Sequence, residues 1–498
     1  MYRRALLVLL GAIVVAAAGA GSAGVVRAST PCPPWPTSFT PPPEIRVLRV
    51  ATGTVDVVPF RAYVENVLYW EWPSTYPMEA LKAGAIAVKQ YAWYFAVRPR
   101  STAVTAAGEC WHVRDDTWDQ KYDPAGTPLA AHRAAVDATW TVTLRKDGSF
   151  FLSGYGPGST DACGADPSPG RTRLSQRGAR ACALSGMTTP DILRTYLDPG
   201  LAIADATRLA GADRYATGAA VSGATFAPSV PVAYIATGQD FPDALAAGPA
   251  AALLGGPVLL VGRDGLPTAV AAELARLQPA SIVVLGGPSV VGDEVLGALG
   301  AYSPSVTRIA GADRYETAAA VSAAVFPAAV PIAFVATGGN FPDALVGAAA
   351  GARLGGPVLL VPAEGIPAPV AAELARLGPA QIRILGGSAV VSDASLEALR
   401  AYSGDVARLS GATRYATAAA VSASVHAPGA ARVDLATGTN FPDALSAGPR
   451  GGPLLLLPPS GLPADVAAEL ARLGAAQLVG LGGPGALPDA AIARAAAR

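Results

Sequence analysis

Glu71 stands between Trp70 and Trp72, and Tyr91 follows in an aromatic run further along. An apolar aromatic setting raises a carboxyl pKa and keeps the group protonated, as a general acid requires. Indole and phenol faces also stack on sugar rings. The group therefore suits glycan cleavage, with Glu71 as proton donor and Trp70, Trp72 and Tyr91 facing the sugar. The same residues also read as core tryptophans beside a surface charge. An ordinary glycosidase needs a second carboxylate, about 5 Å or about 6.5–9.5 Å from the first, and Asp115, Asp116 and Asp119 are the candidates. Ser175 and Gln176 either line a cleft or cap a helix. His112 lies beside Cys110, yet three histidines and four cysteines leave little material for a metal site, and no metal or other cofactor is expected.

The elements that must position Glu71 are two helices, about 60–71 and 78–97. They flank a loop punctuated by Pro73 and Pro77, so Glu71 falls at the end of the first. Upstream, Arg3 and Arg4 precede an apolar run and a small-residue end, which reads as a secretory signal over residues 1–28. Residues 29–47 are Pro-rich and read as an extended linker or wrap. No later apolar run has the length and freedom from charge and proline to cross a bilayer, so no stable membrane insertion is expected. Outside the cytoplasm, four cysteines favour two disulfides. Cys163 with Cys182 is the preferred pair and leaves Cys32 with Cys110, although three connectivities are open.

The chain has 498 residues, 51% hydrophobic and 15% charged, with 37 basic and 37 acidic side chains. That composition fills several cores, and zero net charge argues against a nucleic-acid binder driven by its overall field. From Arg208 onward the sequence repeats with a period of 100 residues: RLAGADRYATGAAVS (208–222), RIAGADRYETAAAVS (308–322) and RLSGATRYATAAAVS (408–422). T-G-x-[ND]-F-P-D-A-L and G-G-P-[VL]-L-L follow in each copy, the last arriving four residues early in the third. Within a copy, apolar runs such as 232–236, 257–261 and 281–285 alternate with helical patterns at 242–254, 267–277 and 293–299. Continuous apolar strands separated by helices predict a parallel sheet covered on both faces. No copy has a G-x-G-x-x-G opening a helix, which rejects a dinucleotide site. The expected architecture is α/β: an N-terminal α+β head at 48–200, then three parallel-sheet α/β modules at 201–300, 301–400 and 401–498.

The three motifs together resemble the cell wall binding repeat, type 2, over about 207–498. The resemblance implies three modules in a pseudo-threefold arrangement, holding a secreted protein non-covalently to an anionic secondary polymer of a Gram-positive wall. Arg208, Arg214, Arg308, Arg314, Arg408 and Arg414 supply six guanidinium forks suited to phosphate or carboxylate. Residues 201–498 carry 17 Arg and no Lys against 21 acidic residues, so anion binding must be local. The competing reading bridges the Arg of each R-Y pair to Asp243, Asp343 or Asp443 within its own module.

The head resembles the stage II sporulation protein D / amidase enhancer family over about 48–198. Tyr63, Glu71, Pro73 and Glu79-Ala80-Leu81-Lys82-Ala83 follow its E-x-P and E-A-L-K-A pattern, and 110–124, 135–151 and 173–197 look like its later motifs. The sequence departs from the pattern at Gly84, Lys89 and Gln90. The resemblance implies that Glu71 is the catalytic acid of a lytic transglycosylase, which can work with one carboxylate. The expected protein is secreted, associated with the cell wall, and acts on peptidoglycan glycan strands. The alternative is a non-catalytic partner of a wall amidase, or an adhesin.

Overall fold

The computed structural model describes residues 30–147, 149–165, 171–240 and 242–496, so the signal at 1–28 lies outside the described residues. In the head, strands β1 (Glu44–Arg49), β2 (Thr54–Pro59) and β3 (Val113–Arg114) form one small sheet. Helices α1 (Phe60–Glu71) and α2 (Met78–Val97) have the expected limits. In α1 the buried positions Phe60, Tyr63, Val64, Val67 and Leu68 recur at helical spacing and face α2. The head is completed by α3 (Ala130–Thr139), β4 (Val142–Lys146), β5 (Ser149–Phe150), β6 (Gly154–Gly156), β7 (Arg173–Ser175), α4 (Gln176–Leu184) and α5 (Thr189–Tyr196). Both preferred disulfides are present, Cys32–Cys110 and Cys163–Cys182.

Each repeat forms parallel strands covered by helices, but the modules are not cut where the sequence repeats begin. Val258–Val261, Val232–Thr237 and Ser281–Leu285 are joined by Val306–Ile309, the strand that opens the second repeat. The second sheet is likewise completed by Asp405–Leu409 of the third repeat. The third sheet is completed by β8 (Ala202–Leu209), the opening strand of the first repeat, which pairs with Gln477–Leu481. The three modules thus close into a ring by strand exchange. Near the axis the modules meet through small residues. A Cβ at Gly248 lies 2.9 Å from the Ala348 Cβ and 3.3 Å from the Gly448 Cα, closer than packed side chains tolerate.

Head and ring share a sheet. β4 pairs antiparallel with β8 from Val142–Asp205 to Arg145–Ala202, giving a six-stranded order that runs from the third module into the head. The described part of the Pro-rich segment is a packed strap, and its last residues already belong to β1. Phe39 is buried in the core of the third module, and Thr37 and Ser38 bind Asp489 at the start of the last helix. Arg208, on β8, donates to the Gly482 and Leu487 carbonyls and to Asp489 Oδ1. Burial pushes the Asp489 carboxyl up. Arg208, the Ser38 amide and Thr37 outweigh that and hold it below the usual carboxylate range.

Breaking a buried ion pair costs about 3–5 kcal/mol, whereas a largely exposed pair contributes about 0–1 kcal/mol. Arg308 and Arg408 make the equivalent bonds to Asp293 and Asp393, whose side chains are 76% and 80% exposed. Arg208→Gln is therefore expected to lower the urea midpoint of the full chain by several times the effect of Arg308→Gln. Asp489 has a depressed folded pKa, so its contribution is present above pH about 4 and is lost as pH falls below that. Stability measured from pH 7 to 3 should fall less steeply in Asp489→Asn than in the parent. Equal losses at Arg208 and Arg308 contradict the strap's role.

Candidate functional site

Helical periodicity puts Tyr63, Val67 and Glu71 in one row of α1, and Asn66 and Trp70 in the next. Asn66 clasps the following loop on both sides: its Nδ2 donates to the Asp123 carbonyl (2.7 Å), and the Asp123 amide donates to its Oδ1 (3.1 Å). Trp70 Nε1 donates to the same carbonyl at 3.3 Å. The clasp delivers the Lys121 amide to Glu71 Oε1 at 3.0 Å. On the core side lie two buried phenols. Tyr63 donates to Gln120 Oε1 (3.0 Å), and Gln120 Nε2 reaches the Val88 carbonyl and Tyr155 Oη. Burial raises both tyrosines well above their ordinary pKa, and the negative charge of Glu71 adds to the effect, so both stay protonated.

The two indoles diverge rather than enclose the carboxyl. Trp72 is fully buried, edge-on to Tyr76 and against Tyr155, so the sugar-stacking role expected of it is withdrawn. Trp70 is about one-third exposed and carries the Lys121 ammonium 4.6 Å from its ring centre. The Glu71 carboxylate is thus held by a backbone N–H and is not enclosed by the flanking tryptophans.

Behind the carboxylate, Gln176 Nε2 donates to the Glu71 carbonyl at 2.8 Å, which ties the start of α4 to the end of α1. Ser175 does both things open to it. Its Oγ accepts from the Gly178 amide as the α4 cap, and it lines a cavity of about 400 Å³ with Pro157, Gly158 and Arg173. A second cavity of about 530 Å³ shares Arg173 and is lined by Tyr91, Trp118, Asp119 and Tyr155. The Tyr91 hydroxyl donates to Asp119 at 2.7 Å, so Tyr91 lies in the cleft wall with its polar tip engaged. Trp118, 73% exposed, and Arg173 were not singled out from the sequence. An indole between acids in D-D-T-W-D was the available signal for Trp118.

The candidate second carboxylates are all taken. The Asp119 side chain is buried and accepts from Arg100, the Arg114 amide and Tyr91. Asp115 pairs with Arg49 and Asp116 with Arg114. Glu79 pairs with Lys82 and accepts from the Thr189 amide and hydroxyl, anchoring α5. His112 accepts from the Arg46 amide, and burial pushes its pKa down to about 4. Among the described residues no group of His, Cys, Asp and Glu could hold a metal ion.

The departures at Gly84, Lys89 and Gln90 have structural reasons. Lys89 is buried and donates to the Thr139 and Trp140 carbonyls at the end of α3, and burial pushes its pKa down to about 7. Gln90 bonds both backbone groups of Leu144 and the Phe151 carbonyl. Gly84 lies beneath Trp72, and a Cβ there comes to 2.6 Å from the indole. Overpacking of this kind costs about 1–3 kcal/mol. Gly84→Ala is expected to lower thermal stability by that amount and to shift the fluorescence of Trp72. An unchanged melting temperature and spectrum contradict the packing.

The six ring arginines divide into two sets. Arg208, Arg308 and Arg408 donate to the Gly482, Gly286 and Gly386 carbonyls and pair with the helix-start aspartates. They pin each opening strand to the module it completes. The polymer-binding role expected of Arg208 is withdrawn, because its side chain is only 1% exposed. Arg214, Arg314 and Arg414 donate to the Gly238, Gly338 and Gly438 carbonyls. Their carboxylate partners lie across module junctions rather than within a module. Arg314 is 3.8 Å from Asp240, and Arg214, Arg314 and Arg414 act on Asp443, Asp243 and Asp343. Burial pushes Asp243 up to about 6. Arg314, Asp243 and Thr317 line a junction cavity of about 180 Å³.

An α+β head, joined through a shared sheet to a strand-exchanged ring of three α/β modules, defines a modular wall-binding protein. The chain belongs to the Cell wall binding domain 2 (CWB2) family, matched at residues 208–296, 308–396 and 408–492, and carries a Stage II sporulation protein domain matched at 49–145. Over 251 residues it is 32% identical to the "Amidase enhancer" of Bacillus subtilis (strain 168) and 25% identical to the "N-acetylmuramoyl-L-alanine amidase LytC" of the same organism. Each match takes in 50% of this chain, and 34% and 49% of those relatives. Among solved structures, Cwp8 from Clostridium difficile aligns with a TM-score of 0.54 at 25% identity, over 65% of this chain and 56% of that one. Cwp6 from Clostridium difficile, at 24% identity, aligns with the same score over 59% and 47% and shares the fold. The repeats and these relatives support a peptidoglycan-related role at the cell wall.

Proposed function

We propose that the chain is a wall-anchored lytic transglycosylase whose single catalytic acid is Glu71. The observation that carries this reading is the contrast between Glu71 and the other candidate acids of the head. Glu65, Glu79, Asp115, Asp116 and Asp119 each have a cationic partner. Glu71 accepts one backbone N–H and has no ion pair among the described residues. In the proposed reaction the Glu71 carboxyl protonates the glycosidic oxygen as the bond from the anomeric carbon breaks. The muramyl 6-hydroxyl then attacks that carbon and returns its proton to the Glu71 carboxylate, closing an anhydro ring. One carboxylate suffices, which fits the engagement of every other candidate. General acid catalysis contributes about 10²–10⁴-fold. Glu71→Gln is expected to lose at least that much glycan cleavage with the fold intact, while Glu65→Gln stays active. The measurement is release of 1,6-anhydromuramyl ends from purified peptidoglycan, read by mass spectrometry. Full activity in Glu71→Gln, or none in the parent, sinks the enzyme reading.

The likeness to a protein named as an amidase enhancer favours one second reading, a non-catalytic partner of a wall amidase. In that case the parent yields no anhydro ends but raises the rate of an added wall amidase, and Glu71→Gln does so equally well.

Anchoring is assigned to the ring, through the module junctions that hold Arg214, Arg314 and Arg414. The full chain is expected to sediment with Gram-positive walls and to be released after extraction of their anionic secondary polymers. Arg314→Gln should weaken retention. Undiminished binding to extracted walls contradicts this assignment.

A further inference from the structure

Four differences between the third repeat and the other two coincide at one place. The helices Pro242–Leu254 and Pro342–Leu354 are represented in the third repeat only by Pro442–Leu445 and the turn Gly448–Arg450, because four residues are missing. Arg450 stands where the other copies have Ala250 and Ala350. Arg432 stands where they have Val232 and Ile332, and Asp434 where they have Tyr234 and Phe334. The chain has three copies of one module, so the first two serve as internal controls. In them this region is plain hydrophobic core.

The missing turn leaves a cleft of about 410 Å³ at the N-terminal edge of the third sheet, whereas the junction cavity at Arg314 lies at the C-terminal edge of the first. Arg432 and Arg450 line it, with His426 and with Arg353 from the neighbouring module. Asp434, fully buried, receives Arg432 Nε at 3.1 Å and lies 3.2 Å from Arg450 Nε. One carboxylate cannot satisfy this much positive charge. The Arg450 side chain is 96% buried, and its Nη1 has no hydrogen-bond partner. Arg353, which takes the place of Leu253, has no ion pair or hydrogen bond from its side chain among the described residues and reaches the same cleft. Burial, with Arg353 nearby, pushes His426 down to about 4, so at neutral pH its ring is an uncharged donor and acceptor. A buried guanidinium with an idle N–H is costly unless a partner completes it. The complementary partner for converging guanidinium forks is an oxyanion.

We propose that this cleft is an oxyanion site that takes a phosphate group, supplied either as free phosphate or as the phosphodiester of an anionic wall polymer. Only the second source rests on the anchoring reading. The phosphate site itself does not.

The test uses the full chain and isothermal titration with inorganic phosphate at pH 7.5, against chloride at equal ionic strength. Arg353→Gln removes an exposed fork without orphaning Asp434, so its melting temperature without phosphate should equal the parent's. Loss of a charge-assisted hydrogen bond weakens binding on the order of tenfold, and that is the expected shift in Kd. Arg383→Gln, which touches only Asp405 and the nearby backbone of its own sheet, is expected to leave the Kd unchanged. No phosphate-specific heat, or the same Kd in parent and Arg353→Gln, overturns the proposal. A second arm titrates a poly(glycerol phosphate) wall polymer. A parallel loss in Arg353→Gln identifies the phosphodiester as the occupant. If polymer binding is unaffected while inorganic phosphate binding falls, the site takes free phosphate and the anchoring reading is judged separately by wall sedimentation.

Discussion

The buried guanidinium of Arg208 holds together three parts of the chain that the sequence keeps far apart. Its backbone lies in β8, its forks reach the Gly482 turn and the last helix, and the aspartate it meets there also binds the strap at Thr37 and Ser38. A charge this deep is tolerable because its two terminal nitrogens reach three oxygens, the Gly482 and Leu487 carbonyls and Asp489 Oδ1, while its Nε is left without a hydrogen-bond partner. The copies at Arg308 and Arg408 do the same task at more open junctions. The ring is therefore most rigidly fastened at the one junction where it also carries the head.

That fastening bears on the catalytic residue through β4. The strand joins the third module's sheet through β8, and its Leu144 backbone is held on both sides by Gln90 of α2. α2 packs on α1, and α1 ends in Glu71. The candidate acid is thus mounted on a rigid stack referenced to the wall-binding ring. Only the short loop carrying Lys121 adjusts its carboxylate, and Asn66 and Trp70 clamp that loop. Gly84 and the fully buried Trp72 belong to this mounting, not to a sugar-binding surface.

Much of this was legible in the residues. Period and motif order gave the three modules, and the limits of α1, α2, Pro242–Leu254 and Ser281–Leu285 follow from proline placement and apolar periodicity. What stayed hidden has one physical origin. Periodicity reports which face of an element is buried, but not against what. So Trp72 reads as a ligand-facing partner of Trp70, and no local pattern marks the opening strand of each repeat as the edge of the module before it. The arginines look identical along the chain and differ only in where their carboxylates come from. Asp443 answers Arg214 from more than two hundred residues away, and no local pattern records that pairing.

Strand exchange around a closed ring sets an order of events. β8 leaves the biosynthetic machinery before most of the ring exists, yet one of its two edges waits for Gln477–Leu481, near the far end of the chain. Until then one edge of β8 is bare and able to pair with any strand nearby, including that of another copy. In a chain made from its N-terminus, the opening strand of the first repeat therefore waits for the third repeat before that edge is paired. The four-residue shortening of the third repeat lies in this late-arriving piece. A proteolytic cut that removes the final strand and helix undoes the first module's seam along with the third, so the ring is lost as a unit rather than trimmed by a third.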